Sequence, residues 1–197
     1  MANIIDDNGL DTLFRSARTY NDWQDKDVSD VLIKAIYDLT KYGATSANCC
    51  PARLVFVKSA ESRKKLVSCV DEGNAKKVAV APVTVVIGHD MKFYDHLAQL
   101  FPHDLSARSW FADKPEVIAD TAFRNGTLQG AYLMLAARAL GLDCGPMSGF
   151  DKKAAKEAFF PDSDVEVNFI CSLGYGDKDS IFPRSPRFDF NEACSIV

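Results

Sequence analysis

The hydrophobic positions of residues 28–42 repeat with the period of a helix. Apolar side chains fall at i, i+3, i+4, i+7, i+8 and i+11, which is the spacing of one helix face. Asp27 or Ser29 can cap the beginning of this helix, and Gly43 can end it. The pattern therefore predicts an amphipathic helix that packs one side against a core.

The rest of the pattern predicts helices and strands in alternation. Ser59 is expected to cap a helix running to about residue 70, and a short helix is expected over 151–160. The longest helix is predicted over 116–140 and is apolar nearly all round from 131 to 140, which indicates that it is buried. Strands are predicted at 54–58, 83–87 and 165–173. Three or four strands with helices between and around them indicate a mixed α/β or an α+β layer fold.

Three parts of the chain depart from this regular pattern. We expect residues 1–9 to be disordered. Residues 89–115 are irregular, rich in aromatic side chains and interrupted by prolines, as lids and binding loops often are. An arginine- and proline-bearing tail covers 177–197. Since no linker or repeat divides the 197 residues, we expect a single domain spanning residues 1–197.

Composition and charge narrow the classes of function. A net charge of -4 and a pI near 5.4 argue against general nucleic-acid binding, which requires a basic face. The sequence contains no apolar run long enough for a bilayer and no secretory signal pattern, so we expect a cytoplasmic protein. Its six cysteines would then stay reduced, and their spacing predicts small buried hydrophobes rather than metal ligands.

Several common catalytic motifs are missing from the sequence. There is no P-loop, no G-x-S-x-G elbow and no H-E-x-x-H, and the Gly174-Tyr175-Gly176 pair lacks the third glycine of a dinucleotide fingerprint. His89, His96 and His103 are spaced by seven residues, which would separate them by about 10 Å on a helix. We therefore expect no metal site, and if the protein is an enzyme we expect a cofactor to carry the chemistry.

Two basic segments near the ends of the chain are suited to an anion. Arg15, Ser16 and Arg18 lie near the N-terminus, and Arg184 and Arg187 lie in the tail. A guanidinium group can pair bidentately with a phosphate, although arginines of this kind are often only solvated surface residues.

Three further segments offer amides, hydroxyls and close backbone approach. The run from Thr45 to Arg53 places small polar side chains on a tight loop before a strand, which alone could be an ordinary turn. Asn74 and Lys77 sit three residues apart, on one face of a helical turn. The Gly-Pro-Met-Ser-Gly run at 145–149 follows the long helix, where a plain helix cap and turn is the alternative.

Together and in this order, the five segments resemble the FMN-dependent nitroreductase family over roughly residues 10–190. The resemblance implies an α+β nitroreductase-like fold, with a central mixed, mostly antiparallel sheet flanked by helices. It also implies an intertwined homodimer in which both subunits build each FMN pocket, with the tail contributing to the dimer or to the flavin site. The implied cofactor-binding residues are Arg15, Ser16, Arg18, Thr45, Ser46, Asn48, Asn74, Lys77, Pro146, Met147, Ser148, Gly149, Arg184 and Arg187.

The departures from the family pattern resemble one branch of it, the RutE branch. Phe14 stands where the family has an arginine, Cys50 and Ala52 replace a glutamine and a tryptophan, and Ser148 replaces an acidic residue found in many relatives. Members of this branch are assigned as malonic semialdehyde reductases of pyrimidine degradation, which use a nicotinamide donor. Loss of an acidic residue favours an anionic substrate. The candidate substrate contacts are Arg53, Phe101, Arg108, Trp110 and Asn125, with surface arginines and core packing as the alternatives.

The resemblance implies NADPH or NADH as hydride donor and no catalytic side chain, because the hydride chemistry takes place on FMN. Three hypotheses remain open at this stage. The chain is a malonic semialdehyde reductase, a broad NAD(P)H reductase of nitroaromatics or quinones, or an FMN-binding protein without turnover.

Overall fold

The computed structural model describes residues 3–197, and its centre is a four-stranded antiparallel sheet. The strands are β1 (Ala52–Val57), β2 (Val83–Asp90), β3 (Asp143–Met147) and β4 (Val165–Gly174), in the order β1-β2-β4-β3. The α+β architecture predicted from the sequence is confirmed. Within the described range the expected parallel component is limited to an isolated bridge between Thr19 and Cys144.

Eight α-helices surround the sheet in the described part of the chain. They are α1 (Asp7–Leu10), α2 (Asp30–Thr40), α3 (Ala60–Val67), α4 (Glu72–Val80), α5 (Leu97–Leu100), α6 (Pro115–Ala139), α7 (Lys152–Phe159) and α8 (Phe190–Ala193). Ser29 caps α2, Ser59 caps α3 and Asp151 caps α7, each through a side-chain oxygen that accepts a backbone N–H. Of these helices, none is long and apolar enough to cross a membrane.

The central strand β2 is buried along all eight of its residues because helices cover both of its faces. Val85 and Ile87 point into a core shared with α2 and α6, where they meet Leu133. Val86 points the other way, into a core shared with α3, α4 and α7 that contains Val78. The uninterrupted apolar run of this strand was therefore a correct indication that both faces are covered.

The long helix α6 crosses the sheet closely and ends where the sequence indicates. Pro115 occupies its first turn, and Gly141 follows it with a φ of +83°, a left-handed conformation that suits glycine. Gly126 and Gly130 let the helix approach β2 and β4. A Cβ on Gly126 would lie 2.8 Å from the Cβ of His89, and one on Gly130 would lie 2.4 Å from the Phe169 ring.

Two expectations need correction. The run containing Gly145 and Pro146 was interpreted as a loop or turn after the long helix, but it forms β3, an edge strand, where proline is tolerated. The expected disorder at the N-terminus does not hold for residues 7–9, since Asp6 accepts a hydrogen bond from Gly9 N and caps α1. Residues 1–2 of that expectation lie outside the described range.

The excursion predicted at 89–115 is shorter and more ordered than expected. β2 continues to Asp90, and short helical turns over Phe93–His96, Leu97–Leu100 and Ala107–Trp110 follow. These turns have their own apolar core with the end of the 45–51 loop and the start of α6, formed by Cys49, Phe93, Leu97, Ala107, Phe111, Ile118 and Ala122. The tail from 182 onwards is exposed throughout and contains only α8.

Candidate functional site

The N-terminal segment and the tail line a cavity of about 600 Å³ whose charged lining residues are all arginines. Its arginines are Arg15, Arg18, Arg138, Arg184 and Arg187. Of the five, only Arg15 contacts carboxylates within the described residues: it lies 2.7 Å from Asp7 and 2.6 Å from Asp11. Its hydrogen bond to Asp7 raises the pKa of Arg15. The other four arginines have no carboxylate contact among the described residues, so their positive charge is available to bind an anion.

The arginines also hold the tail against the N-terminal segment. Arg18 donates to the carbonyl of Phe182, and Arg184 donates to the carbonyls of Arg15 at 2.8 Å and Ala17 at 3.0 Å. Backbone carbonyls are neutral partners and do not cancel the charge of a guanidinium group. The charge of this cavity suits a compact anion such as a phosphate.

Arg138 is a member of this cluster that the sequence interpretation missed. It comes from α6, donates to the carbonyl of Leu13 at 3.2 Å, and lines the arginine cavity. The signal was present, since Arg138 is the only charged residue between 131 and 140, in a stretch interpreted as a buried apolar helix.

Ser16 lies in a smaller neighbouring cavity of about 230 Å³, rather than among the arginines. Tyr20, Asp143 and Lys178 share this cavity, and Arg138 borders both cavities. Burial raises the pKa of Tyr20, so this phenol stays protonated at neutral pH. Ser16 therefore lines a cavity that adjoins the arginine cavity, with Ala17 and Arg138 bordering both.

Asn74 and Lys77 lie beside the chain that follows β3. Asn74 Nδ2 donates to the carbonyl of Gly149 at 2.9 Å, and Lys77 Nζ donates to Asn74 Oδ1 at 3.2 Å. A Cβ on Gly149 would lie 2.7 Å from Asp71 Oδ2 and 2.8 Å from Asn74 Nδ2, so only glycine fits without displacement. An amide and an ammonium group are therefore fixed beside the backbone of residues 146–149.

The edge strand β3 connects the arginine cavity to the Asn74–Lys77 pair. Thr19, next to Arg18, forms a bridge with Cys144 at the start of β3, and Gly149 lies two residues beyond its end. At about 3.3 Å per residue, the five steps from Cys144 to Gly149 span at most roughly 16 Å. The outer edge of Gly145–Met147 pairs with no further strand in residues 3–197. The arrangement suits an elongated ligand with an anionic end and a flat polar end.

The loop at 45–51 makes hydrogen bonds to α6, to Leu100 and within itself. Its hydrogen bonds reach Asn125 and Gln129 on α6, through Ser46 N and the adjacent Ala52 N, and Leu100 through Asn48 Nδ2. Thr45 closes the loop by accepting from Cys50 N at 3.2 Å. None of these hydrogen bonds reaches the arginine cavity or Asn74. Among the described residues, no hydrogen bond therefore joins Thr45, Ser46 or Asn48 to the other predicted cofactor residues of the same chain.

The two candidate substrate arginines are both paired with carboxylates. Arg53 lies 2.6 Å from Asp90, whose side chain is 12% exposed, and Arg53 also donates to carbonyls of its own loop. Arg108 lies 2.9 Å from Asp95, and the side chain of Arg108 is 58% exposed. Arg53 is thus held in place, whereas Arg108 stays open to solvent.

The remaining substrate candidates divide into a surface pair and a buried residue. Phe101 and Trp110 pack edge to face with ring centroids 6.0 Å apart, and Trp110 is 42% exposed. Asn125 is fully buried and uses its amide to bind Thr121 and Ser46. A substrate contact by Asn125 therefore conflicts with its position behind the loop.

The remaining reactive side chains of the described residues do not form a metal-binding cluster. Among residues 3–197, no three His, Cys, Asp or Glu side chains are arranged to hold a metal ion. Burial lowers the pKa of His89 and raises the pKa of Cys49 to about 11, so both are neutral at pH 7.

Comparison with known proteins identifies the family. The model of the nitroreductase family matches residues 15–175. A protein of Polynucleobacter asymbioticus, provisionally named NADH dehydrogenase/NAD(P)H nitroreductase, is 55% identical over 197 residues and all of both chains. HadB of Ralstonia pickettii, with the same provisional name, is 53% identical over 190 residues, 95% of this chain and 97% of its own. A provisionally named nitroreductase of Exiguobacterium sibiricum, crystallised with FMN, superposes with a TM-score of 0.84 at 21% identity over the whole of both chains. The chain therefore belongs to the nitroreductase family.

Proposed function

We propose that this protein is an FMN-dependent NAD(P)H oxidoreductase. The observation that carries the proposal is the placement of the arginine cavity and the Asn74–Lys77 pair at the two ends of edge strand β3. Family membership and the FMN complex of the Exiguobacterium sibiricum relative support the choice of FMN. The names of the similar relatives support a nicotinamide donor.

The residues present fit FMN at both ends of the strand. Arg18, Arg138 and Arg184 would hold the phosphate, with Arg187 beside them. When bound, FMN supplies a ring that exchanges electrons in pairs, so no protein nucleophile is required. Lys77 would stabilise negative charge on the pyrimidine edge of that ring, and Asn74 would bind the same edge.

The backbone from Pro146 to Gly149 would form the wall against which the ring lies. Met147 is 9% exposed and anchors this wall in the core, while Gly149 keeps Asn74 close. Ser148 stands where many relatives carry an acidic residue, so the wall adds no negative charge beside the ring.

A homodimer would complete the site. The loop containing Thr45, Ser46 and Asn48 makes no hydrogen bond to the other cofactor residues among the described residues of its own chain, and a second subunit can supply it. Large apolar side chains are exposed on the tail and on α6, including Phe182 at 73%, Phe188 at 79% and Phe123 at 50%. Exposed apolar surface of this extent is typical of an interface.

For the substrate, we propose malonic semialdehyde, which the enzyme would reduce to 3-hydroxypropionate in pyrimidine degradation. The similarity to the RutE branch and the neutral Ser148 support a small anionic aldehyde. Arg108 is the better candidate for its carboxylate, because Arg53 is already paired with a shielded Asp90. Phe101 and Trp110 would form an apolar cover that excludes water. We place this activity in the cytoplasm, in keeping with six free cysteines.

The second candidate is a broad reductase of nitroaromatics or quinones, which the names of the relatives favour. Anaerobic stopped-flow absorbance separates the candidates. NADPH or NADH should bleach the bound flavin, and malonic semialdehyde should restore its colour. Restoration by a nitrofuran alone would leave the broad reductase. Flavin that neither nicotinamide bleaches would leave only an FMN-binding protein.

A further inference from the structure

Three buried polar side chains form a row along α6, opposite the loop at 45–51. Thr121, Asn125 and Gln129 follow one another at intervals of four residues and are 7%, 0% and 7% exposed. Side chains at this spacing lie on the same face of a helix. Because burying a polar group is unfavourable unless it is hydrogen bonded, the row must have partners.

Its partners are backbone groups at both ends of the loop. Asn125 Oδ1 accepts from Ser46 N at 2.9 Å, and Gln129 Oε1 accepts from Ala52 N at 2.8 Å. Asn125 Nδ2 donates to the carbonyl of Thr121 at 2.8 Å, which fixes the orientation of this amide. The row therefore holds the loop where it begins and where it joins β1.

The loop needs such support because its backbone is strained. Ala47, Asn48 and Cys50 have φ values of 49°, 49° and 38°, in the left-handed region that non-glycine residues rarely adopt. Conformations of this kind persist only where the surroundings impose them. The hydrogen bonds from α6 provide that constraint from outside the loop.

The loop in turn contacts the segment at 91–114. Asn48, one of the strained residues, donates through Nδ2 to the carbonyl of Leu100 at 2.7 Å. Cys49, next to it, is buried against Phe93 and Leu97 of the same segment. Direct contacts thus link the row on α6 to the loop, and the loop to the 91–114 segment.

We infer that Asn125 and Gln129 are positioning residues. They set the conformation of the 45–51 loop and thereby the surface that this loop supplies to the flavin pocket. The identity of the bound molecule rests on the proposed function, whereas the hold on the loop does not. Asn125 thereby acts behind the site instead of on the substrate.

A pair of substitutions at Gln129 tests this role. Gln129→Met keeps the length of the side chain and removes the acceptor for Ala52 N, while Gln129→Glu keeps an acceptor oxygen. In Gln129→Met, hydrogen exchange at the Ala52 amide should accelerate about tenfold or more, and the Kd for FMN should rise about tenfold, as for loss of one buried hydrogen bond. Gln129→Glu should stay near the wild type in both measurements, and its visible circular dichroism of bound flavin should also match.

Thr84→Val is the matched control for a general loss of stability. Thr84 is 2% exposed and its hydroxyl lies 2.9 Å from that of Ser172, at the end of β2 far from Ala52. This variant should lower Tm without changing Ala52 exchange or FMN affinity. The inference is overturned if Gln129→Met leaves Ala52 exchange unchanged, or if Thr84→Val weakens FMN binding as much. If the wild type binds no FMN, the proposed function fails, and Ala52 exchange alone decides whether the row holds the loop.

Discussion

Asn74 Nδ2 lies 2.9 Å from the carbonyl oxygen of Gly149 and donates a hydrogen bond to it, which joins α4 to the chain after β3. The second contact of this amide, from Lys77 at 3.2 Å, orients its oxygen. Two segments that are 75 residues apart in sequence are thereby fixed side by side. The position of the proposed flavin ring depends on this relationship.

Gly149→Ala should disturb that relationship directly. The new Cβ would lie 2.7 Å from Asp71 and 2.8 Å from Asn74, so Asn74 must move. We expect the Kd for FMN to rise about tenfold, equivalent to about 1.4 kcal/mol, in a fluorescence titration of flavin-free protein. Gly73→Ala is the control, because a Cβ on Gly73 meets nothing within 4 Å. Equal effects of the two substitutions would disconnect Gly149 from the flavin site.

Arg138→Leu should weaken phosphate binding selectively. Since Arg138 lines the arginine cavity without a carboxylate partner among the described residues, its removal takes positive charge from the proposed phosphate site. We expect the Kd for FMN to rise about tenfold, whereas the Kd for riboflavin, which has no phosphate, should change little. Arg124→Leu serves as the control, because Arg124 pairs with Asp120 on the outside of α6. A parallel loss of riboflavin affinity would argue against a phosphate contact.

Arg53 and Arg108 should respond differently to replacement by alanine. Arg53→Ala leaves the shielded Asp90 carboxylate without its arginine partner, although Lys92 N still donates to it, and should lower the free energy of unfolding by about 2 kcal/mol, measured by urea denaturation. Arg108→Ala removes an exposed pair and should leave stability nearly unchanged. In steady-state kinetics it should raise the KM for malonic semialdehyde and spare a nitrofuran. An equal rise for both acceptors would remove Arg108 from substrate recognition.

His89 should make the protein less stable as the pH falls below about 6.5. Burial lowers the pKa of His89 from its ordinary value of 6.5, an effect that nearby Glu166 opposes and Lys152 reinforces. The unfolded chain therefore binds a proton that the folded chain does not, and stability is lost as pH falls from 6.5 towards the folded pKa. His89→Gln should flatten this part of the stability profile in urea denaturation between pH 5.5 and pH 7.5. His103→Gln, at an exposed site, should keep the slope. A wild-type profile that is flat over this range would contradict the assignment.

The elements that the sequence could predict are those with a strong local signal. α2 has its helical period and a serine cap, β2 is continuously apolar, and α6 ends at a glycine, so each was found within a few residues. β3 was missed because pairing with β4 in the folded sheet overrides the poor strand propensity of Gly145 and Pro146.

The candidate site was predictable as a set of motifs, but not as a geometry. Asn74 and Gly149 were each expected at the site from their own motifs, but their mutual contact is a tertiary feature, as is the meeting of Arg138 with Arg18 in one cavity, where α6 passes behind the N-terminal segment. Asn125 accepts a hydrogen bond from Ser46 N of the 45–51 loop. These two residues are 79 apart in sequence, and no local pattern predicts their contact.

A crystal structure of the protein loaded with FMN is the most direct test of the central claim. We expect the flavin to lie along the outer edge of β3, with its phosphate hydrogen bonded to Arg18, Arg138 or Arg184 and its ring against Asn74 and Gly149. A flavin bound elsewhere, or a phosphate outside the arginine cavity, would contradict the account.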